Sequence, residues 1–255
     1  RLAAKPSGRA NFTFYYRGTA TEPLTRVTKL QRTEDEFDNW DVLSIKAGTD
    51  TGYALVEDER GLDVLREFNY RTGQAGKLVH KDPVWGLDGA LLTKDGVLEG
   101  AIYTADAPQT RWFDSKMAAV QSRLEQTFGQ GRVRILSRSD DGRRMVVWHG
   151  GGGDPGVIYI YTRGRNRLET FAAVRPDVDF KALSAPRRID YQARDGVKIS
   201  GYLTLPKGRD GVRVPLVIMP HGGPYGIRDT MTYRDDVQML ANRGYAVLQP
   251  NFRGS

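Results

Sequence analysis

The chain has 255 residues, 39% of them hydrophobic and 27% charged, with a formal charge of +7, a composition fit for one large or two modest globular domains. It contains no cysteine, which excludes a disulfide framework, cysteine-ligated zinc and thiol catalysis; no run of about 18 apolar residues occurs, so no membrane span is expected. Beyond residue 175, twelve Lys/Arg stand against eight Asp, leaving +4 there and +3 before it; Arg163, Arg165 and Arg167 alternate with turn residues rather than aromatics, so no nucleic-acid partner is expected.

The opening residues RLAAKPSGRANF lack the apolar core of a signal peptide and do not begin with Met. A cytoplasmic location is expected. The alternative is a periplasmic or secreted protein whose signal lies in a preceding part.

Up to residue 175 the chain reads as short strands and turns. Phe12–Tyr16, Trp40–Ile45, Tyr53–Val56, Val64–Phe68 and Lys77–His80 are rich in β-branched or aromatic residues and are separated by polar or glycine-containing links. Thr93-Lys94-Asp95-Gly96 is echoed 46 positions later by Ser139-Asp140-Asp141-Gly142, and Tyr70-Arg71-Thr72-Gly73 is echoed 91 positions later by Tyr161-Thr162-Arg163-Gly164. One and two periods of about 45 residues match a four-stranded blade, which favours a β-propeller over a sandwich.

One helix interrupts the strands. Met117, Val120, Leu124 and Phe128 share a face, Asp114 or Ser115 can cap its start, and Gly129 can end it. It is expected to pack on a blade. His149 opens HGGGGDPG, which has the form of an oxyanion loop, but Arg144–Trp148 and Val157–Tyr161 read as adjacent antiparallel strands with these glycines as their hairpin connection. His80, beside Asp82-Pro83, reads as a blade-edge residue. With three His in all and no HExxH spacing, neither a metal nor a cofactor is expected.

The pattern changes near Pro176. Asp177–Leu183 reads as a short helical linker, followed by a hairpin of Arg188–Ala193 and Lys198–Leu205 about an Arg194-Asp195-Gly196 turn. Leu216–Met219 is an apolar run between Pro215 and Pro220 and is expected to be buried on both faces of a parallel sheet. It stops at His221-Gly222-Gly223-Pro224. Without a Cβ, Gly222 and Gly223 allow close approach and let amide N–H groups face developing negative charge. Tyr233, Val237, Leu240 and Ala241 then mark a helical face closed by Gly244, and Tyr245–Gln249 reads as a second buried strand. Strand, helix, strand of these lengths is a βαβ crossover, so pairing should be parallel.

From about residue 185 onward the chain resembles the prolyl oligopeptidase family of serine peptidases, in its dipeptidyl-aminopeptidase and acylaminoacyl-peptidase branch. The resemblance is carried by Arg194-Asp195-Gly196, Gly201-Tyr202-Leu203-Thr204-Leu205-Pro206, His221-Gly222-Gly223-Pro224 and Asn251-Phe252-Arg253-Gly254-Ser255. It implies β-propeller blades followed by the N-terminal part of an α/β-hydrolase domain: 1–175 a partial propeller with one inserted helix, 176–255 the start of the peptidase domain. It also implies hydrolysis of short peptides, releasing N-terminal dipeptides or acyl-amino acids through an acyl-enzyme. Gly223 matches the backbone donor of the oxyanion hole, with Gly222 beside it. His221 occupies the position where relatives place a Tyr or His near the oxyanion, and Arg253 and Gly254 match a loop near the site.

The chain contains no G-x-S-x-G, and the family order Ser, Asp, His puts the triad beyond Ser255. No catalytic residue is therefore assigned within it, and Ser255 itself lacks the flanking glycines. The expected partners are a short peptide substrate and the remainder of the hydrolase domain, with self-association left open. The alternatives are a carboxylesterase of the same fold, or a non-catalytic binding protein with a propeller.

Overall fold

The computed structural model describes residues 1–6, 12–30, 40–129, 131–223 and 226–253. Strands β1 (Leu2–Pro6), β2 (Phe12–Tyr16) and β3 (Thr25–Leu30) form one antiparallel sheet. A second holds β4 (Trp40–Ile45), β5 (Thr51–Glu57), β6 (Asp63–Asn69) and β7 (Gln74–His80), and a third β8 (Leu87–Leu92), β9 (Leu98–Thr104) and β10 (Pro108–Trp112). Helix α1 (Ser115–Phe128) leads to a fourth, of β11 (Val133–Arg138), β12 (Arg144–Gly151), β13 (Asp154–Thr162) and β14 (Arg167–Ala173). The last sheet is mixed: β15 (Arg187–Gln192), β16 (Lys198–Thr204), β17 (Leu216–Ile218), then α2 (Asp235–Asn242) and β18 (Ala246–Asn251), in the spatial order β15-β16-β18-β17. Antiparallel meanders of up to four strands followed by a mixed sheet with a parallel crossover are propeller blades leading into an α/β-hydrolase domain.

The sequence echoes mark equivalent places in successive blades. Gly96 and Gly142 each close the turn between the first two strands of their sheet, at φ +77° and +64°, donating to Thr93 O at 3.0 Å and Ser139 O at 2.9 Å. Only a residue without a Cβ takes that conformation cheaply. Tyr70 and Tyr161 both stand at the end of a third strand, and both are fully buried.

By internal packing the chain forms two units, Arg1–Thr104 with Pro108–Ala118, and Ala105–Ala107 with Ala119–Ser255. In the first, β5 shows why the blades stack. Ala54 packs with Tyr16, Phe68 and Tyr70, whereas the next residue, Leu55, packs with Leu65, Leu87 and Ala101. Successive side chains leave opposite faces, so an unbroken apolar run serves a strand covered on both sides. Polar closure accompanies this: Tyr16 donates to Asp50 at 2.8 Å, and Arg71 to the same carboxylate at 2.6 Å, which holds Asp50 below the usual carboxylate range.

Helix α1 begins where expected, with Asp114 Oδ1 accepting from Met117 N–H at 2.7 Å, as an N-cap side chain does. Met117, Val120 and Leu124 are buried. In the second unit, Phe128 stacks on His149 at 4.5 Å and Gln121 donates to Val133 O at 3.1 Å, fastening the helix to β11 and β12. His149 is thus a blade residue, opposite Val133 and Val157, and the glycines after it connect β12 to β13. His80 ends the edge strand β7 with its ring against Phe113 at 5.1 Å. Burial lowers the pKa of both histidines.

The mixed sheet corrects two expectations. Strand β17 pairs in parallel with β18, as the crossover requires, but it is not buried on both faces: Leu216 is 52% and Ile218 59% exposed. The reason is its place at the sheet edge, where α2 packs towards β16 and β18 instead. Tyr233 precedes α2 rather than lying on its face, its hydroxyl donating to Asp235 at 2.8 Å. Gln238 takes the buried position with Val237 and Ala241. Its amide accepts from Ser184 N at 3.0 Å and donates to Ser184 O at 2.7 Å and Gly152 O at 3.1 Å, which explains how a polar side chain can be 4% exposed. The expected linker helix is a short 3₁₀ turn, Phe180–Ala182, capped by Asp179.

One carboxylate in the first unit works against folding at neutral pH. Asp63 lies opposite Glu57 across β5 and β6, and burial, then the charges of Glu57, Asp41 and Asp88, push its pKa up to about 6. A folded pKa above the ordinary 3.8 means that the native state favours the protonated form, an advantage present below about pH 4 and lost as pH rises through 6. Asp63→Asn is expected to raise stability by about 1 kcal/mol at pH 7.5, after allowance for solvent screening, and to change nothing below pH ~4. Urea unfolding at the two pH values measures the difference.

Candidate functional site

The site is set by one topological fact. Because β17 and β18 run parallel, the segments following both emerge at the same end of the sheet, where open α/β sheets bind ligands. Met219 N–H still donates to Leu248 O at 2.8 Å, so the chain is held in register to within two residues of His221. His221-Gly222-Gly223 follows β17, and Phe252-Arg253 follows β18. The His221 and Phe252 rings stack with centroids 4.3 Å apart and planes 17° apart.

Gly222 and Gly223 are exposed, a Cβ added at Gly222 would meet nothing within 4 Å, and Gly223 has φ +135°. A side chain at Gly223 would strain this backbone, so glycine is required there by conformation. His221 Nδ1 lies 2.7 Å from Gly222 O. A carbonyl only accepts, so Nδ1 carries the proton and Nε2 of the neutral ring is the acceptor. In this arrangement the ring orders its own loop, and Nε2 donates to an anion only as imidazolium. Pro224 and Gly254 lie outside the described residues.

Arg253 forms an ion pair with Asp195 at 2.5 Å, joining the segment after β18 to the β15–β16 turn. Both partners are about half exposed, and such pairs contribute about 0–1 kcal/mol, so this contact orients more than it stabilises. The structure therefore brings together His221, Gly222, Gly223 and Arg253, four of the five residues singled out from sequence. The motif Arg194-Asp195-Gly196 joins them through Asp195.

Two anchors beneath the site are not legible as such in the sequence. Asn251, the last residue of β18, is buried and clasps one residue of the returning loop: its Oδ1 accepts from Asp229 N at 2.8 Å and its Nδ2 donates to Asp229 O at 3.1 Å. Asp229 in turn accepts from Arg234 at 2.7 Å. Tyr202, of the GYLTLP motif, donates to Asp106 Oδ1 at 2.8 Å, and Arg188 donates to the same oxygen at 2.9 Å. Burial and that carboxylate push the Tyr202 hydroxyl up to about 12, so it stays a neutral donor. Both residues lie in motifs singled out from the sequence, but nothing there says which distant groups they hold.

The chemistry on offer is backbone donors in a close-approach loop, without a nucleophile and base beside them in the motifs present. Among the described residues, no three His, Asp or Glu side chains group as a metal site.

No family model matches the chain. Among the curated proteins similar in sequence are dipeptidyl aminopeptidase BIII of Pseudoxanthomonas mexicana, 36% identical over 146 residues, and dipeptidyl peptidase family member 6 of Caenorhabditis elegans, 34% identical over 146 residues. These matches take in 54% and 49% of this chain but only 21% and 20% of the relatives, so the likeness spans about a fifth of their length. Among solved structures, a prolyl endopeptidase superposes over 96% of this chain and 35% of its own with a TM-score of 0.63 at 16% identity. The Pyrococcus horikoshii acylaminoacyl peptidase covers 100% and 38%, with a TM-score of 0.60 at 14% identity. At such identities the structures speak for the fold, and the sequence relatives for the branch. Together they bear out the resemblance to the prolyl oligopeptidase family.

Removing the Asn251 clasp leaves a buried N–H and C=O of Asp229 unpaired. Asn251→Leu is expected to cost about 2–4 kcal/mol in urea unfolding, against under about 1 kcal/mol for Asp195→Asn, which frees an exposed pair.

Proposed function

We propose that this chain is part of a serine peptidase of the prolyl oligopeptidase family, which removes dipeptides or acyl-amino acids from the N-termini of short peptides through an acyl-enzyme. The observation that carries it is the meeting of the HGG loop with the Phe252-Arg253 segment at the shared carboxyl end of a parallel strand pair. The names of the sequence relatives support the same class.

In this reading Gly223 N–H is one donor of the oxyanion hole, Gly222 keeps the approach open, and His221 orders the loop. Arg253 and Gly254 flank the site. Residues 1–175 are propeller and 176–255 the start of the hydrolase domain; the change from antiparallel meanders to a mixed sheet between Ala173 and Arg187 supports that division. The nucleophile, acid and base are supplied by the remainder of the hydrolase domain. Two observations support this: G-x-S-x-G is lacking in the chain, and among the described residues β17 has a partner on one side only, with Leu216 and Ile218 exposed, fit to receive another strand. A cytoplasmic location is proposed, the alternative being a periplasmic or secreted one; the absence of cysteine is compatible with both.

One oxyanion donor contributes about 2.7–4 kcal/mol to catalysis, and it acts only on a reaction that a nucleophile has begun. The 255-residue chain alone is therefore expected to resist a fluorophosphonate serine reagent and to leave dipeptidyl and acyl-aminoacyl anilides intact. A protein that extends through the remainder of the domain is expected to be labelled at one serine and to cleave those anilides in preference to simple esters. Stoichiometric labelling of the chain alone would sink the division of roles, and preference for simple esters would sink the peptidase assignment.

A further inference from the structure

At one end of the β11–β14 sheet the β11–β12 and β13–β14 turns lie side by side, joined by a hydrogen bond from Arg163 N to Arg143 O at 2.9 Å. They enclose a cleft of about 670 Å³, lined chiefly by Ser139, Arg143, Arg144, Thr162, Arg165 and Arg167. We infer that this cleft is a binding site for a small oxyanion carrying two or more charges.

The register builds the cradle. Arg144 stands directly opposite Thr162, and Thr162 directly opposite Arg167. Directly paired residues of antiparallel strands share a face, and adjacent strands lie about 4.8 Å apart. Two guanidinium stems thus leave one face about 10 Å apart, with a hydroxyl between them. No hydrogen bond within the described residues engages the Thr162 hydroxyl.

The charges do not close on themselves. Arg167 pairs with Glu169 at 3.0 Å and Arg143 with Asp141 at 3.7 Å, all four side chains being well exposed. Asp141 is further occupied by the Ser139 hydroxyl at 2.6 Å and by Arg143 N–H at 2.9 Å. Arg144 and Arg165 have no carboxylate partner among the described residues. Four arginines against two carboxylates leave an excess of +2 around one concavity.

The ligand class follows from the donors. A guanidinium presents a planar fork that matches phosphate and carboxylate oxygens two at a time, which a halide cannot use. The cleft is open to water, so a single charge is screened, and several charges engaged together are needed for affinity. Its volume suits a small molecule, and no aromatic platform lines it to stack nucleic-acid bases.

Isothermal titration calorimetry on the full chain, with pyrophosphate and citrate at fixed ionic strength, tests the site and separates its two ligand sources. At least one is expected to bind one-to-one and saturably, the tighter marking a phosphate or a polycarboxylate ligand. Arg144→Gln with Arg165→Gln is expected to weaken it at least tenfold, and Arg144→Lys with Arg165→Lys by less, since charge is kept and the fork lost. Arg209→Gln with Arg213→Gln, which removes equal charge elsewhere, should leave binding unchanged, and circular dichroism melts check that each variant folds. Failure of both anions to saturate, or an equal loss in the Arg209/Arg213 variant, overturns the inference.

Discussion

Strand β18 takes antiparallel β16 on one side and parallel β17 on the other, and the candidate site depends on its holding both. This position demands a tight ladder. A Cβ at Gly201 in β16 would sit 2.7 Å from Gln249 O, so the glycine that opens the GYLTLP motif is there to let the two backbones close. Buried on five of its six residues, β18 then delivers Asn251 to the loop that returns from the HGG segment, and Phe252 to the ring of His221. Stability and site geometry are thereby coupled through one strand.

The blades obey a simpler rule. Each meander pairs neighbours in sequence, so its contacts are local, and its identity repeats in the turns that close it. The alternation of Ala54 and Leu55 towards different partners lets one blade serve two neighbours, and buried tyrosines at the ends of third strands add a hydroxyl that finds a partner: Tyr161 donates to Asn166 at 2.9 Å and Tyr70 to Tyr53 O at 2.5 Å. Burial without that partner would forfeit about 1–3 kcal/mol of what the ring contributes.

Charge is managed differently in different places. Around Asp50 and Asp106 arginines and tyrosines converge on single carboxylates, and the result is a closed network that fastens segments distant in sequence. Around Arg144 and Arg165 the arginines outnumber the carboxylates. Surface pairs of the second kind add little to stability, so the excess charge there is not explained by folding.

Much of the fold was legible because it is local. Short runs rich in β-branched and aromatic residues between turn signals located strands, a capping Asp and an apolar face at helical spacing located α1, turn glycines located hairpins, and the order of four motifs pointed to a hydrolase domain after propeller blades. His149 could be set aside because the strands flanking its glycines were already recognisable. What sequence could not decide was who meets whom. An apolar run such as Leu216-Val217-Ile218 reads the same at the edge of a sheet as at its centre, since hydrophobicity records a preference and not a neighbour. Likewise Gln238 and Asp229 are unremarked polar residues, and Asn251 only the first letter of a motif, until strand order and crossover bring their backbone partners within reach. The sequence by itself determined many of the elements and the motifs they carry, though not strands such as β8 to β10; the tertiary structure decided which of them converge, because convergence is set by long-range strand pairing that no local pattern encodes.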